Sequence, residues 1–301
     1  MSDELTAVFL ALTIGLAQPV LAADEHEEGP LYIHRLAAHP SDPDVWYAIT
    51  GNMGVLRTRD GGRRWAPVNR GLRSFTHHGL AVALAPGAAE PTVFVGGWGG
   101  GVSRSADGGS SWKEINGDLG NTAVDAMAVD PDRSDHLYVA TSTGVYRSRD
   151  GGAHWTGDGD GLPPFSEAVG YKMLVIEPSP TRRLWLGTEA GLFRRELDGR
   201  RWIPDPVLGA ARVSALAYDA AGRRLYAGTI KQGVHVRSGE SWRSLGGERW
   251  FVSGVAVHPA DPRVIYLATR GDGVMKSIDA GARWAPANAG LGTPDVRSLA
   301  I

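Results

Sequence analysis

Ser148-Arg149-Asp150-Gly151-Gly152-Ala153-His154-Trp155 is one of four octapeptides of the form Ser/Thr-x-Asp-x-Gly-x-x-Trp in this 301-residue chain. The others run from Thr58 to Trp65, Ser105 to Trp112 and Ser277 to Trp284. Between the third and fourth copies the tryptophan persists as Trp202 and Trp242, although the Asp and Gly around it are gone. The six tryptophans are 47, 43, 47, 40 and 42 residues apart. A period of that length in a chain of short apolar runs predicts an all-β propeller built from four-stranded blades.

Working outward from the tryptophans, each repeat shows one internal order. An apolar first strand ends in a turn with proline, as in Met127-Ala128-Val129-Asp130-Pro131, because a residue without an N–H cannot extend a ladder. A second strand ends in a small residue and threonine, as in Leu184-Trp185-Leu186-Gly187-Thr188. The third enters the octapeptide and the fourth leaves it at the tryptophan. Near-continuous apolar runs in the first two strands predict burial on both faces, with Trp46 and Trp185 in the core. The expected blades are 31–75, 76–122, 123–167, 168–210, 211–250 and 251–294, and 295–301 matches only another first strand. Six blades with one extra strand are favoured over a fragment of a larger ring.

The octapeptide is turn chemistry. Asp-Gly between apolar strands favours a tight hairpin, since Gly accepts positive φ while the Asp carboxylate and Ser/Thr hydroxyl accept bonds from turn N–H groups. The tryptophan then leaves the turn as an apolar wedge. These residues closely resemble the Asp-box, or bacterial neuraminidase repeat, of sialidases, xyloglucan-cleaving glycosidases, sortilin-type receptors and photosystem II assembly factors. The resemblance covers about 31–301 and implies that the box face is structural and that ligands meet the opposite face or the central channel. Asp60, Trp65, Asp107, Trp112, Asp150, Trp155, Asp279 and Trp284 are therefore read as structural.

The catalytic patterns of those relatives do not carry over. The sialidase Phe/Tyr-Arg-Ile-Pro motif has only Phe193-Arg194-Arg195-Glu196 as a partial match, in the wrong blade. In Tyr47-Ala48-Ile49-Thr50-Gly51-Asn52-Met53-Gly54, Gly51 stands where the xyloglucan-cleaving enzymes resembled here have a catalytic Asp. No catalytic residue is assigned; Glu189, Glu248 and Asp272 are the carboxylates a hydrolase would have to use.

If the boxes mark one face, the loops between second and third strands and the blade connections make the other. Trp98, flanked by two glycines on each side, is the leading binding candidate. Arg73, Lys231, Arg249, Trp250 and Arg270 join it on that rim. His77-His78 has no visible third metal ligand, and adjacent residues of an extended chain point to opposite sides. Asp158-Gly159-Asp160-Gly161 lacks the downstream glutamate of a calcium loop and reads as a solvated turn. No metal or cofactor is expected.

Composition narrows the function classes. The 43% hydrophobic content and 41 glycines suit turn-dense β-structure. A net charge of −2, with no basic stripe, argues against nucleic acid. The absence of cysteine excludes disulfides and thiolate chemistry. Residues 7–17 form an apolar run, and small residues precede Ala23, which reads as a signal peptide over 1–22 despite Asp3 and Glu4 in place of a positive start. An acidic linker, 23–30, follows. The expected product is a periplasmic or extracellular non-catalytic scaffold, without a membrane span after cleavage, whose partner is an exported protein, a peptide or a polysaccharide.

Overall fold

The computed structural model describes residues 9–10, 33–39, 41–51, 53–73, 77–83, 90–120, 122–164, 173–178 and 180–301. Six four-stranded antiparallel sheets follow one another in chain order, each pairing its strands in sequence, and no helix occurs among the described residues. Blade 1 comprises Ile33–Ala38, Trp46–Thr50, Val55–Thr58 and Ala66–Pro67; blade 2, His77–Ala83, Thr92–Gly97, Gly101–Ser105 and Lys113–Glu114. Blade 3 comprises Val124–Asp130, Arg133–Thr141, Val145–Ser148 and Thr156–Gly157; blade 4, Met173–Glu177, Arg183–Thr188, Gly191–Glu196 and Ile203–Pro204. Blade 5 comprises Val213–Asp219, Arg224–Thr229, Val234–Ser238 and Ser241–Ser244; blade 6, Val252–Val257, Ile265–Thr269, Val274–Ser277 and Ala285–Pro286. This is a six-bladed propeller with one strand left over, Leu299–Ala300, which pairs antiparallel with Phe9–Leu10.

The second strands carry the core, as their unbroken apolar runs require: Trp46 to Thr50 and Ile265 to Thr269 are buried throughout, and Trp185 is fully buried. Their terminal threonines lock the turn into the third strand. Thr50, Thr188, Thr229 and Thr269 each donate Oγ1–H to the carbonyl of the glycine at or just before that strand's start, at 2.6–3.1 Å. Adjacent blades approach closely where the second strand has glycine. A Cβ on Gly96, Gly187 or Gly228 would come within 2.4, 2.7 and 2.5 Å of Val124, Val213 and Val252 respectively, the valines that open the next blade's first strand.

All four boxes have one geometry. In the second, Ser105 Oγ–H donates to Asp107 Oδ1 at 2.6 Å, Gly109 N–H to Ser105 Oγ at 2.7 Å and Ser111 N–H to Asp107 Oδ1 at 2.9 Å. The same three bonds recur around Asp60, Asp150 and Asp279. In four repeats the tryptophan at this position then bonds to the preceding blade. Trp112, Trp155, Trp202 and Trp284 donate Nε1–H to the carbonyls of Val68, Ile115, Asp158 and Leu245 at 2.6–2.8 Å. Each acceptor is the residue following the preceding blade's fourth strand. Trp242 reaches instead to Asp205 Oδ2 at 3.1 Å and meets Trp185 edge-on, with ring centroids 6.4 Å apart.

The seam between blades 6 and 1 breaks this series. Trp65 donates to Gly62 of its own turn at 3.0 Å. Tyr47 and Tyr138 donate their hydroxyls to turn carbonyls of the following blade, Gly108 and Leu197, and Tyr266 makes no such bond among the described residues. The leftover strand sits against the first strands of blades 6 and 1. Ser253 Oγ–H donates to the Val296 carbonyl just as Ser214 Oγ–H donates to Val252, so Val296 holds the place of a seventh blade's first buried valine.

Two expectations are corrected here. Asp158 is buried in an ion pair with the fully buried Arg195, and burial raises its pKa against the opposing pull of Arg195 and Arg147. It is an inter-blade anchor, not a solvated turn. His77 and His78 belong to the first strand of blade 2, not to a loop, and their side chains lie outside the described residues, as do Asn52 and Phe165 to Glu167.

Removing an indole that bridges two blades costs both buried area and a hydrogen bond. Trp155→Ala is expected to lower stability by about 3–5 kcal/mol in equilibrium urea unfolding, and Trp65→Ala by clearly less. Equal losses would show that the inter-blade bond contributes nothing. The box carboxylates add an acid limit. Burial opposes ionisation of Asp107, but hydrogen bonds from Ser105 and Ser111 outweigh it and lower its pKa to about 2 from 3.8; Asp60, bonded first by the Arg64 amide, and Asp279, bonded first by the Arg283 amide, also shift down. A depressed folded value means that the unfolded chain takes the proton more readily, so this stabilisation is complete above about pH 4 and disappears as pH falls toward about 2. Melting temperature measured across that interval should fall, and less so in Asp107→Asn.

Candidate binding site at the channel mouth

Strand direction separates two faces. Second strands end, and first and third strands begin, on one face, while the boxes close the turns on the other. At the face opposite the boxes a cavity of about 220 Å³ opens in the ring. Its wall takes residues from every blade and from the segment that leads into the leftover strand: Arg35, Trp98, Asp125, Met173, Ser214, Arg270 and Arg297 among them.

A repeated backbone device aims several of these side chains. A β-bulge interrupts the first-strand pairing at the same point in five blades, between Ile33 and Arg35, His77 and Gly79, Val124 and Ala126, Val213 and Ala215, and Val252 and Gly254. A bulge turns one residue out of the ladder. The residues skipped are His34, His78, Asp125, Ser214 and Ser253; all except His78, whose side chain is not described, line the cavity. Arg297 follows the buried Val296 in the same relation.

The mouth is both aromatic and cationic. Trp98 stands on its glycine turn with 57% of its surface exposed and donates Nε1–H to Asp125 Oδ1 at 2.9 Å. The Arg270 guanidinium lies over the Phe251 ring, 4.9 Å from its centroid, where a ring face attracts a cation. Arg35 Nη2 is 2.9 Å from Met173 Sδ, and Arg297 Nε is 3.6 Å from an oxygen of Asp295. Burial pulls the Arg35 pKa down, and the charge of Asp125 pushes it back up. Three guanidinium groups and one carboxylate, Asp125, are among the described lining residues.

Of the residues singled out from sequence, Trp98 and Arg270 line this cavity. Trp250 does not: it is only 6% exposed, packs in the core between blades 5 and 6, and meets Trp284 edge-on with centroids 6.1 Å apart. The turn from Gly247, whose carbonyl accepts Trp250 N–H at 2.9 Å, folds it inward. Lys231 and Arg249 are exposed but stand outside the cavity wall, and Arg73 is exposed beside Glu114, 3.5 Å away. Glu189 pairs with Arg212 at 2.8 Å, and neither it, Glu248 nor Asp272 lines the cavity. Arg35, Asp125 and Arg297 were not singled out; their signal was the residue after the first buried valine or isoleucine of each first strand, or the one beyond it.

No protein-family model and no curated protein matches the chain. Solved structures do. A GH74 xyloglucanase from Xanthomonas campestris superposes with a TM-score of 0.69 at 22% identity, over 84% of this chain and 45% of its own. YCF48 from Cyanidioschyzon merolae gives 0.59 at 17% over 87% of both chains, and a YCF48 structure bound to D1 peptide gives 0.63 at 17%, over 87% of this chain and 84% of that one. The extracellular domain of BT4673 from B. thetaiotaomicron gives 0.63 at 16%, over 85% of this chain and 34% of that one. The likeness is one of fold. This chain spans under half the length of the xyloglucanase it resembles.

The exposure of Trp98 can be read by quenching with neutral acrylamide, which should reach it more readily than the buried indoles of Trp185 and Trp202. In Trp98→Phe the readily quenched fraction of the emission should fall; an unchanged fraction would mean that another indole supplies it.

Proposed function

We propose that this protein is a non-catalytic binding propeller, periplasmic or extracellular, that holds an extended segment of an exported protein or a peptide at its channel mouth. The observation that carries this reading is the cavity wall itself: exposed Trp98 and the Arg270–Phe251 stack, with Asp125 as the one carboxylate among the described lining residues. Glycoside hydrolysis in its usual form needs two carboxyl groups about 5–10 Å apart across the scissile bond, and the described residues of the wall supply one. A cavity of about 220 Å³ is also small for a sugar chain and suits one or two side chains of a segment lying over the face. A YCF48 propeller of similar fold has been captured with a peptide, and the BT4673 propeller belongs to an extracellular domain, which supports the reading by analogy of fold.

The test is selection of peptides from an unbiased display library against the purified protein. Selected peptides should lose at least about ten-fold in affinity with Trp98→Ala, the scale of a binding hot spot. Release of reducing sugar from a glycan panel, abolished by Asp125→Asn, Glu189→Gln or Asp272→Asn, would overturn the proposal in favour of a carbohydrate-active hydrolase.

A further inference from the structure

The leftover strand lies between the first strands of blades 6 and 1, where a seventh blade would stand. It is firmly seated: Val296 and Leu299 are buried in an apolar cluster with Tyr266, Ala268 and Val274 of blade 6. Without a second strand, the peptide groups along its outward edge would go unpaired, and such an edge is a template for another strand. Phe9–Leu10 takes that edge, pairing Phe9 with Ala300 and Leu10 with Leu299.

This register repeats that of the complete blades. Val296 holds the place of Val252, so Leu299 and Ala300 hold the places of Val255 and Ala256, whose second-strand partners are Leu267 and Tyr266. Leu10 thus corresponds to Leu267, and Phe9 to Tyr266. Every blade has an aromatic residue at Phe9's place, Tyr47, Phe94, Tyr138, Trp185, Tyr226 and Tyr266, opposite alanine or, in blade 4, valine. Ala300 with Phe9 is the seventh such pair. The flanking sequence agrees: Val8-Phe9-Leu10-Ala11 matches Ile265-Tyr266-Leu267-Ala268 and Leu137-Tyr138-Val139-Ala140, although Leu12 stands where threonine closes the second strands of blades 3 and 6.

We propose that residues 8–11 are the second strand of a partial seventh blade, retained by the folded protein as part of its ring and not discarded with a leader. The apolar run read above as a signal peptide suits this use, because second strands are buried on both faces and so carry continuous apolar sequence. Asp3 and Glu4, foreign to a leader's positive start, do not oppose it. Chain direction allows the placement: antiparallel to the leftover strand, Phe9–Leu10 runs toward the cavity face, on which Ile33 opens blade 1. Export through such a segment is compatible with the strand; cleavage after Ala22 is not. What the channel mouth binds is a separate matter.

The full chain has no cysteine, so introduced pairs report position directly. Of Leu10→Cys with Leu299→Cys and Phe9→Cys with Ala300→Cys, at least one should form a disulfide on mild oxidation about ten-fold or more faster than Leu10→Cys with Ala300→Cys, whose side chains would face opposite sides of the sheet. The advantage should vanish in denaturing urea. Hydrogen exchange of the C-terminal peptide carrying Leu299 and Ala300 should quicken about ten-fold or more in Phe9→Asp and keep its original rate in Phe9→Tyr. The intact mass of the protein taken from its native cells should include residues 8–11. Matched pairs no faster than the control, or exchange indifferent to Phe9→Asp, would overturn the strand; a native protein beginning at Ala23 would overturn its retention.

Discussion

The indole N–H of one blade bonded to the carbonyl that ends the preceding blade's fourth strand is the contact on which the rest of the ring depends. It joins two sheets that share no ladder, and it does so with a side chain whose burial supplies most of the adhesion. The box exists to aim that indole. Three hydrogen bonds around the box Asp and Ser/Thr hold the turn, and in three of the four copies the indole that leaves it reaches the preceding blade.

Where the box is lost, other chemistry holds the turn. In blade 4 the buried Arg195 donates Nη1–H bonds to the carbonyls of Glu196, Leu197 and Gly199, at 2.7–3.1 Å, while its other amino group pairs with Asp158 of blade 3. Cation–π contact with Trp202, 5.1 Å from Arg195, keeps the wedge in place. Blade 5 shortens the connection to Gly239-Glu240, with Ser238 paired to Ser241. Glu240 is then gripped by Arg183, Arg194 and Arg237 at 2.7–3.2 Å, hydrogen bonds from Arg183 and Arg237 lowering its pKa to about 2. Both substitutes use arginine to do between blades what aspartate does within a turn.

Much of the fold was legible because it is periodic. The boxes, the threonine-ended second strands and the extra strand at the C-terminus follow from spacing and residue type. Trp98 was legible as well, since four glycines around an indole leave it little to pack against. Asp158 was misread because its partner, Arg195, lies 37 residues away in another blade, and a local motif carries no trace of it. Trp250 was misread because consecutive positive φ angles at Gly246 and Gly247, +82° and +81°, turn the chain and bury the indole. Asp125 escaped notice because a bulge is a backbone event; a period-two reading assigns such a residue to a face without showing that the ladder steps aside for it. Arg35, next to the skipped His34, and Arg297, ahead of the leftover strand, sit beside such positions.

The repeated bulge has a consequence for how such proteins diversify. It gives four of the blades one cavity-facing position each, where the described occupants are as different as histidine, aspartate and serine. Neighbouring valines and isoleucine at 33, 124, 213 and 252 remain buried and nearly uniform. Structural and cavity-facing residues are thus adjacent in sequence yet point to different surroundings. Exchanging an occupant changes the chemistry of the channel wall without touching the buried residue beside it that helps assemble the ring.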